Sequence, residues 1–383
     1  MGLNRHSIRI IGILLIFNLS VSFINVTSTN GGNISEINPI SIIIDTDGGT
    51  DDFLAILYLL QDPVVTVKAI TVSNGVTYVE SGVNNILRLL DYLDINDIPV
   101  AGGQDKPLIV DHGFPAVWRE GSNSFYGVIL PETTVQPSKL NATGLIISEI
   151  LSSSENITIV AFGPLTNVAQ VLERKPEVKN RIDAIHMMGG AVTVDGNVGF
   201  EYPDIPNFAA EWNIYIDPDA ADIVFKSKLP LFLIPLDATN DVPQTIEYLQ
   251  EFESAKKTVV ADLALKFFNP GLFFWDALAA VVLTNPNVVD WSEFYIEIEI
   301  DLENHEGQTK SISDRGTNTL VATNADRDLF EQILMDTLNL GEVVFHNGMT
   351  EISEEEDTPF FRTLSIASIL IVLILRYSKS KRL

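Results

Sequence analysis

The sequence contains no cysteine and only five histidines among 383 residues. Disulfide bridges, thiolate zinc sites and cysteine nucleophiles are therefore excluded. Basic residues are also scarce, because 24 Lys and Arg face 51 Asp and Glu, which gives a formal net charge of −27. A chain of this charge repels polyanions, so we expect no nucleic acid partner. The sequence has no dinucleotide-binding glycine fingerprint, P-loop or HExxH motif, which leaves NAD(P), ATP and zinc-protease functions without support.

The N-terminal segment has the order of a secretory signal peptide. Arg5 and Arg9 precede a short apolar run, and small polar residues follow it. We assign residues 1–29 to the signal peptide and residues 30–40 to a linker. The sequence therefore predicts an exported protein.

The C-terminal segment also differs from the rest of the chain. We interpret residues 346–358 as an acidic linker, 359–378 as a transmembrane anchor and 379–383 as a basic tail. Its uncharged run over residues 363–375 is shorter than the roughly 18 residues of a secure span, but Arg362 can snorkel and the basic tail fits the positive-inside rule. This arrangement predicts a single-pass protein on the extracellular face of the membrane. A processing signal that is later removed is the alternative.

Between these ends, residues 41–345 alternate β-branched runs with helical patterns. This alternation predicts one α/β domain with a mainly parallel, doubly wound sheet. Parallel strands are expected at residues 42–44, 65–72, 98–101, 157–162, 182–188 and 231–236, and an antiparallel strand at 294–301. Helices are expected at residues 53–60, 81–93, 165–173 and 218–226. Ligands of such sheets bind outside the carboxyl ends of the strands.

An acidic loop follows the first expected strand, with the sequence Asp45-Thr-Asp47-Gly-Gly-Thr-Asp51-Asp52. Four carboxylates in eight residues repel one another if they are buried unpaired, and a divalent cation relieves that repulsion. On this loop alone, a haloacid-dehalogenase-like phosphatase, with Asp45 as nucleophile and Asp47 as acid, is an alternative. An EF-hand fits less well, because the glycines and the final glutamate are misplaced.

Further motifs follow the later strands and make the phosphatase the weaker alternative. They are Phe162-Gly-Pro, His186-Met-Met-Gly-Gly, Asp195-Gly-Asn197, Glu211-Trp-Asn213, Pro235-Leu-Asp237 and Phe274-Trp275-Asp276. In this order, with the acidic loop, they resemble the inosine–uridine-preferring nucleoside hydrolases over about residues 40–340. The resemblance implies an enzyme that hydrolyses the N-glycosidic bond of a ribonucleoside to ribose and free base, and it suggests a homo-oligomer. The phosphatase alternative lacks a clear later lysine and acidic pair.

The same resemblance implies a calcium site. Carboxylates of Asp47, Asp52 and Asp276 and the main-chain carbonyl of Phe162 would hold the ion, and an all-oxygen ligand set suits calcium. Asp47 would also be the catalytic residue, taking a proton from a calcium-bound water. Asp45 would brace the loop.

The resemblance assigns the ribose hydroxyls to polar side chains at the strand ends, namely Asp51, Asn74, Asn197, Glu211 and Asn213. Trp275 stands where many members have a histidine that protonates the leaving base, and the purine-preferring branch is similar in having tryptophan there. We therefore expect a purine preference, with Trp275 stacking on the base and Trp118 as a candidate for the opposite face. Gly48 replaces the family's usual proline. Together with Trp275, it motivates a second alternative, a non-catalytic cell-surface nucleoside-binding protein, beside the weaker phosphatase alternative.

Overall fold

The computed structural model of the protein describes residues 39–313, 316–341, 345–346 and 349–350. The expected signal peptide (1–29), anchor (359–378) and basic tail (379–383) lie outside the described residues. The expected linkers at 30–40 and 346–358 also lie outside them, apart from a few edge positions. Of the helices in the described residues, none has the length and apolar character needed to cross a bilayer.

Within the described residues, nine strands form one sheet, and two further strands form a separate antiparallel pair. The strands of the sheet are β1 Ile40–Thr46, β2 Val65–Val72, β3 Val100–Gly102, β4 Ile157–Ala161, β5 Ile182–Met188, β6 Leu231–Ile234, β7 Val289–Ile298, β8 Thr309–Ile312 and β9 Thr317–Ala325. The separate pair consists of β10 Phe345–His346 and β11 Met349–Thr350.

The helices connect these strands and cover the sheet. They are α1 Thr50–Gln61, α2 Val79–Tyr92, α3 Ala116–Asn123, α4 Ala142–Ser152, α5 Thr166–Arg174, α6 Val198–Glu201, α7 Trp212–Ile216, α8 Pro218–Phe225, α9 Leu236–Thr239, α10 Ile246–Ala255, α11 Val259–Leu265, α12 Trp275–Thr284 and α13 Arg327–Leu338. Short 3₁₀ turns occupy Phe125–Gly127, Pro176–Arg181 and Pro286–Val288.

The sheet has the order β3-β2-β1-β4-β5-β6-β9-β7-β8. Its strands pair in parallel from β3 to β9, and β7 pairs antiparallel with β9 and β8, which confirms the mainly parallel sheet and the later antiparallel strand. The chain adds β2 and β3 on one side of β1 and then crosses to add β4 on the other. The carboxyl ends of β1 and β4 therefore flank a topological switch point, where open α/β sheets bind ligands.

Strand β1 shows why both faces of the sheet are buried. Ile42 and Ile44 point into the core under α1 and α12, whereas Ile43 points into the opposite core with α4, α5 and α8. All three side chains are fully buried. Because alternate residues of a strand face opposite sides, three consecutive apolar residues are what a strand covered on both faces requires.

Several element boundaries differ from the sequence prediction, and the largest difference is at β7, which spans Val289–Ile298 and not residues 294–301. Two of the differences have clear local reasons. Strand β6 ends at Ile234 and not at residue 236, because Pro235 lacks an amide hydrogen and Leu236 begins α9. Helix α1 begins at Thr50, three residues before the expected start. Its acidic first turn is stabilised by amide donors, and the amide of Gly49 donates to Asp52 Oδ2 at 2.8 Å.

Candidate active site

The acidic loop lies at the switch point, between the ends of two neighbouring strands. Asp47 directly follows β1, which pairs with β2 on one side and β4 on the other. The main chain ties these ends together, because the amide of Thr77 donates to the Asp47 carbonyl at 3.1 Å and the amide of Phe162 donates to the Asp45 carbonyl at 2.8 Å. The acidic loop therefore lies at the carboxyl end of a parallel strand, where ligands of such sheets were expected to bind.

Asp47 is held in a fixed orientation. Its side chain is almost fully buried, and its Oδ2 accepts from the amide of Val76 at 2.9 Å. Gly75 and Gly163 lie against it on two sides, where a Cβ atom on either glycine would overlap the Asp47 side chain. The two glycines therefore let the ends of β2 and β4 close around this carboxylate.

Three carboxylates converge near Asp47, and the charges of two of them act on it. Asp47, itself an expected metal ligand, is not one of the three. Among the described residues, Asp51, Asp52 and Asp276 each place one oxygen so that all three oxygens lie within 4.8 Å of one another. Asp51 and Asp52 lie in the first turn of α1, and Asp276 lies in the first turn of α12. The helix termini thus bring together residues more than 220 positions apart. Asp51, which we expected to bind ribose, shares this cluster with the expected ligands Asp52 and Asp276.

Burial and mutual repulsion disfavour the charged form of every member of this group. Burial raises the pKa of Asp51 to about 7, and the Asp52 charge adds to the effect. The pKa values of Asp47 and Asp276 are raised well above the usual range by burial and then by the neighbouring carboxylates. In the described part of the chain, no lysine or arginine forms an ion pair with these groups. A bound cation would relieve this repulsion.

The donor set fits a hard divalent cation. Oδ1 of Asp276 is buried without a hydrogen-bond partner, which is unfavourable unless an ion or a ligand reaches it. Carboxylate oxygens are the ligands that calcium and magnesium take. The Phe162 carbonyl, the expected fourth ligand, accepts a hydrogen bond from Asn213 Nδ2 at 2.9 Å and keeps a second lone pair.

The acidic loop itself is braced as expected. Oδ1 of Asp45 accepts from Thr71 Oγ1 at 2.6 Å and from Asn167 Nδ2 at 2.8 Å, and burial raises the pKa of Asp45 to about 7. Gly48 has φ +79°, a value that proline cannot adopt. Glycine at this position therefore matches the conformation of the loop, and its amide donates to Thr46 Oγ1 at 3.1 Å.

Glu211 and Asn213 lie at the start of α7, facing the ends of β4 and β5. Glu211 caps the helix by accepting from the amide of Asn213 at 2.9 Å, and it also accepts from the amide of Gly190 at 2.9 Å. Burial raises the pKa of Glu211 to about 7. The side-chain nitrogen Nδ2 of Asn213 donates to the main-chain carbonyls of Phe162 and Met188. The side-chain oxygen Oδ1 is therefore the end left for a ligand.

Asn74 follows β2. Unlike Asn213, it has its side-chain donor, and not its acceptor, available to a ligand. Its Oδ1 accepts from Arg119 Nη1 at 3.3 Å, which leaves the NH2 group available as a donor. The Arg119 guanidinium lies 4.6 Å from the ring centroid of Tyr78 and is nearly buried. Arg119, the basic residue directly after Trp118, was not among the predicted site residues.

Trp275 and Asn197 line one cavity of about 300 Å³. Phe200, Phe273 and Glu201 also line it, so the cavity combines aromatic walls with a few polar groups. The Trp275 indole nitrogen is buried without a hydrogen-bond partner. An aromatic wall with an available donor suits a flat heterocyclic ligand.

Trp118 lies in an aromatic cluster of its own. Its ring packs against Trp212 at 5.2 Å, and Phe114 and Tyr202 lie slightly farther away. The described residues that line the cavity with Trp275 do not include Trp118. Contact of Trp118 with a base therefore stays a prediction.

Known proteins resemble this chain over most of its length. A sequence model of the family described as inosine-uridine preferring nucleoside hydrolase matches residues 42–332. A relative named pyrimidine-specific ribonucleoside hydrolase RihA, from Shigella boydii serotype 4 (strain Sb227), is 35% identical over 314 residues, covering 78% of this chain and 97% of the relative.

Solved structures are similar over a comparable share of the chain. A purine-preferring ribonucleoside hydrolase from Gardnerella vaginalis has a TM-score of 0.69 at 28% identity, covering 78% of this chain and 98% of the other. The plant nucleoside hydrolase PpNRh1 has a TM-score of 0.69 at 26% identity, covering 79% of this chain and all of the other. These matches decide against the phosphatase and the non-catalytic alternatives. The chain belongs to the inosine-uridine preferring nucleoside hydrolase family and is an N-glycosidic ribonucleoside hydrolase.

Proposed function

We propose that this enzyme is a calcium-dependent hydrolase that prefers purine ribonucleosides and uses Asp47 as its general base. The observation that carries the proposal is the convergence of Asp51, Asp52 and Asp276 beside Asp47, at the switch point of the sheet. Within the described residues, no lysine or arginine is paired with these converging carboxylates, so the chain described does little to stabilise their negative charge. They make a good site for a cation.

The residues that would hold the cation are Asp47, Asp52 and Asp276, with the main-chain carbonyl of Phe162. When bound, a divalent cation supplies positive charge that lowers the pKa of water and holds vicinal ribose hydroxyls. Asp51, which lies with Asp52 and Asp276, would either share the ion or accept from a ribose hydroxyl. Calcium is favoured over magnesium because it accepts a larger and less regular set of oxygen ligands.

Asp47 would take the proton of the attacking water. One of its oxygens is occupied by the Val76 amide, so the side chain cannot rotate freely and its other oxygen keeps a constant direction. A base held in one orientation loses little entropy when it meets its substrate. Cleavage of a glycosidic bond passes through an oxocarbenium-like state, whose positive charge the surrounding carboxylates would stabilise.

The ribose would be held by fixed donors and acceptors around this centre. Asn213 offers its oxygen, because its nitrogen donates to Phe162 and Met188, whereas Asn74 offers its NH2 group, because Arg119 occupies its oxygen. Glu211 keeps α7 in place through its bonds to main-chain amides. A sugar hydroxyl both donates and accepts, so groups of both polarities bind it well.

The purine preference is supported by the aromatic cavity around Trp275. The Gardnerella vaginalis structure, named as purine-preferring, is one of the similar structures. The name of the Shigella boydii relative, pyrimidine-specific, favours pyrimidine ribonucleosides as the second candidate substrate class. A tryptophan beside the leaving base favours the larger purine ring, because stacking grows with shared aromatic area.

A direct assay tests the whole proposal. The purified full chain is incubated with inosine, guanosine, uridine and cytidine in calcium, and released ribose is measured as reducing sugar. We expect ribose from all ribonucleosides that bind and the highest kcat/KM for the purines. Release of no ribose would contradict catalysis by this site, and higher kcat/KM for uridine or cytidine would contradict the purine preference.

We further propose that the enzyme is exported and anchored on the extracellular face of the membrane, and that it forms a homo-oligomer. The location is supported only by the sequence of residues 1–29 and 359–378. Protease treatment of intact cells tests the location, because an external domain is removed while cytoplasmic proteins survive. Light scattering of the detergent-solubilised chain measures the number of subunits.

A further inference from the structure

Glu201 connects the cavity wall to the helix that carries Glu211 and Asn213. Its Oε1 accepts from Asn197 Nδ2 at 3.1 Å, and its Oε2 accepts from the indole nitrogen of Trp212 at 2.9 Å. Trp212 is the residue between Glu211 and Asn213 on α7. One carboxylate therefore fixes both the loop before α6 and the start of α7.

This contact determines which end of the Asn197 amide is available. A carboxylate only accepts, so the end of Asn197 that faces Glu201 must be its NH2 group. The other end, Oδ1, is buried without a partner, and Asn197 lines the cavity that contains Trp275. A buried acceptor without a donor is unfavourable, so a ligand that supplies a donor there gains affinity.

We propose that Glu201 is a positioning residue, which fixes Asn197 with its carbonyl oxygen toward the substrate so that Asn197 accepts a hydrogen bond from a substrate O–H or N–H group. The inference rests on the proposed function, in which the bound nucleoside extends into this cavity beside Trp275. The sequence indicated neither the role of Glu201 nor which end of the Asn197 side-chain amide is available to a ligand. An asparagine side chain can present either its oxygen or its NH2 group, and the hydrogen-bond partner beside it determines which of the two.

The substitution Glu201→Gln tests which end of the Asn197 side-chain amide faces the cavity. The Trp212 indole can only donate, so the carbonyl oxygen of the substituted side chain stays with it and the new NH2 group faces Asn197. Asn197 must then turn its oxygen toward that new NH2 group and its own NH2 group toward the cavity. We expect kcat/KM for inosine to fall about tenfold, the effect of one lost hydrogen bond.

Exchanging the carboxylate and the amide between positions 201 and 197 separates the positioning role of Glu201 from a merely structural one. In the double variant E201Q/N197D, the carboxylate introduced at position 197 accepts from the amide introduced at position 201 with one oxygen and presents its other oxygen to the cavity. The total charge of the pair is unchanged. We expect kcat/KM of the double variant to recover to within about threefold of wild type, whereas N197D alone stays impaired because two carboxylates then face each other.

The matched control is Glu173→Gln, an exposed glutamate in the last turn of α5. It should leave kcat/KM unchanged. Inosine affinity is measured by calorimetry on the same proteins, so the pattern is tested independently of turnover. An E201Q variant within twofold of wild type, or a double variant no better than E201Q, would overturn the role of Glu201. Wild-type protein that binds inosine but releases no ribose would contradict the proposed function alone.

Discussion

Gly75 lies so close to Asp47 that any side chain on Gly75 would overlap the Asp47 carboxylate. The next residue, Val76, donates its amide to the same carboxylate at 2.9 Å. The turn after β2 therefore has two functions, since it leaves room for the proposed base and also holds it. Gly163, after β4, encloses Asp47 from the other side.

We expect Gly75→Ala to reduce kcat at least 100-fold, because its methyl group displaces Asp47 from its orientation. The assay is ribose release, with thermal unfolding measured in parallel. Gly341→Ala is the control, because a Cβ atom there meets no other atom within 4 Å. Normal turnover by the Gly75 variant would show that the position of Asp47 does not matter.

We expect Asp47→Asn to lower kcat by about 10²–10⁴, the contribution of a positioned general base. The variant keeps the volume of the side chain but removes the proton acceptor. Calorimetry with calcium should show a smaller loss of affinity than in Asp276→Asn, because the Asp276 oxygen belongs to the converging set. A near-normal rate would exclude Asp47 as the base.

Removal of the cation should abolish activity. We expect dialysis against a chelator to stop ribose release and added calcium to restore it, because the converging carboxylates lack a basic partner in the described part of the chain. Restoration by magnesium to the same rate would argue against a calcium-specific site. Full activity in the chelated protein would contradict metal dependence.

We expect Trp275→His to lower kcat/KM for inosine and to raise the uridine-to-inosine ratio of kcat/KM. Histidine provides less stacking area, but it can donate a proton to the leaving base. The measurement is the ratio for the two substrates, compared with Trp291→Phe, a change on β7 away from the cavity. An unchanged ratio would remove Trp275 from base selection.

Stability of the metal-free protein should depend on pH through Glu211. Burial raises the pKa of Glu211 from 4.5 to about 7, so between these values the folded protein binds a proton that the unfolded chain has released. The free energy of unfolding should therefore fall as pH rises from about 4.5 to 7, by up to about 3 kcal/mol from this group. Urea unfolding in chelator at pH 5 and 7.5 measures the change.

We expect Glu211→Gln to show a smaller fall in stability over the same pH range, because it cannot titrate. Glu173→Gln should keep the wild-type dependence. The same slope in the Glu211 variant would show that Glu211 is ionised in the folded protein throughout this range.

The types of the predicted elements followed from local patterns, whereas β8, β9 and the helices after α8 were not predicted. Three consecutive isoleucines at residues 42–44 identified a strand buried on both faces, and β2 and β5 were predicted with their observed bounds. Boundaries were less accurate where capping decided them, as at Thr50 in α1. The prediction that Asp52 and Asp276 share one site required the resemblance, because no local pattern relates α1 to α12.

The sequence by itself determined the mainly parallel fold, the acidic loop at the end of its first strand and the family, because these depend on residue order and periodicity. The tertiary structure decided which atom each side chain presents. Arg119 donates to the side-chain oxygen of Asn74, so the NH2 group of Asn74 remains as a donor. Glu201 accepts from the NH2 group of Asn197, so the oxygen of Asn197 remains as an acceptor. The physical reason is that an amide has two ends of similar size and opposite polarity, and the partners that choose between them are set by packing.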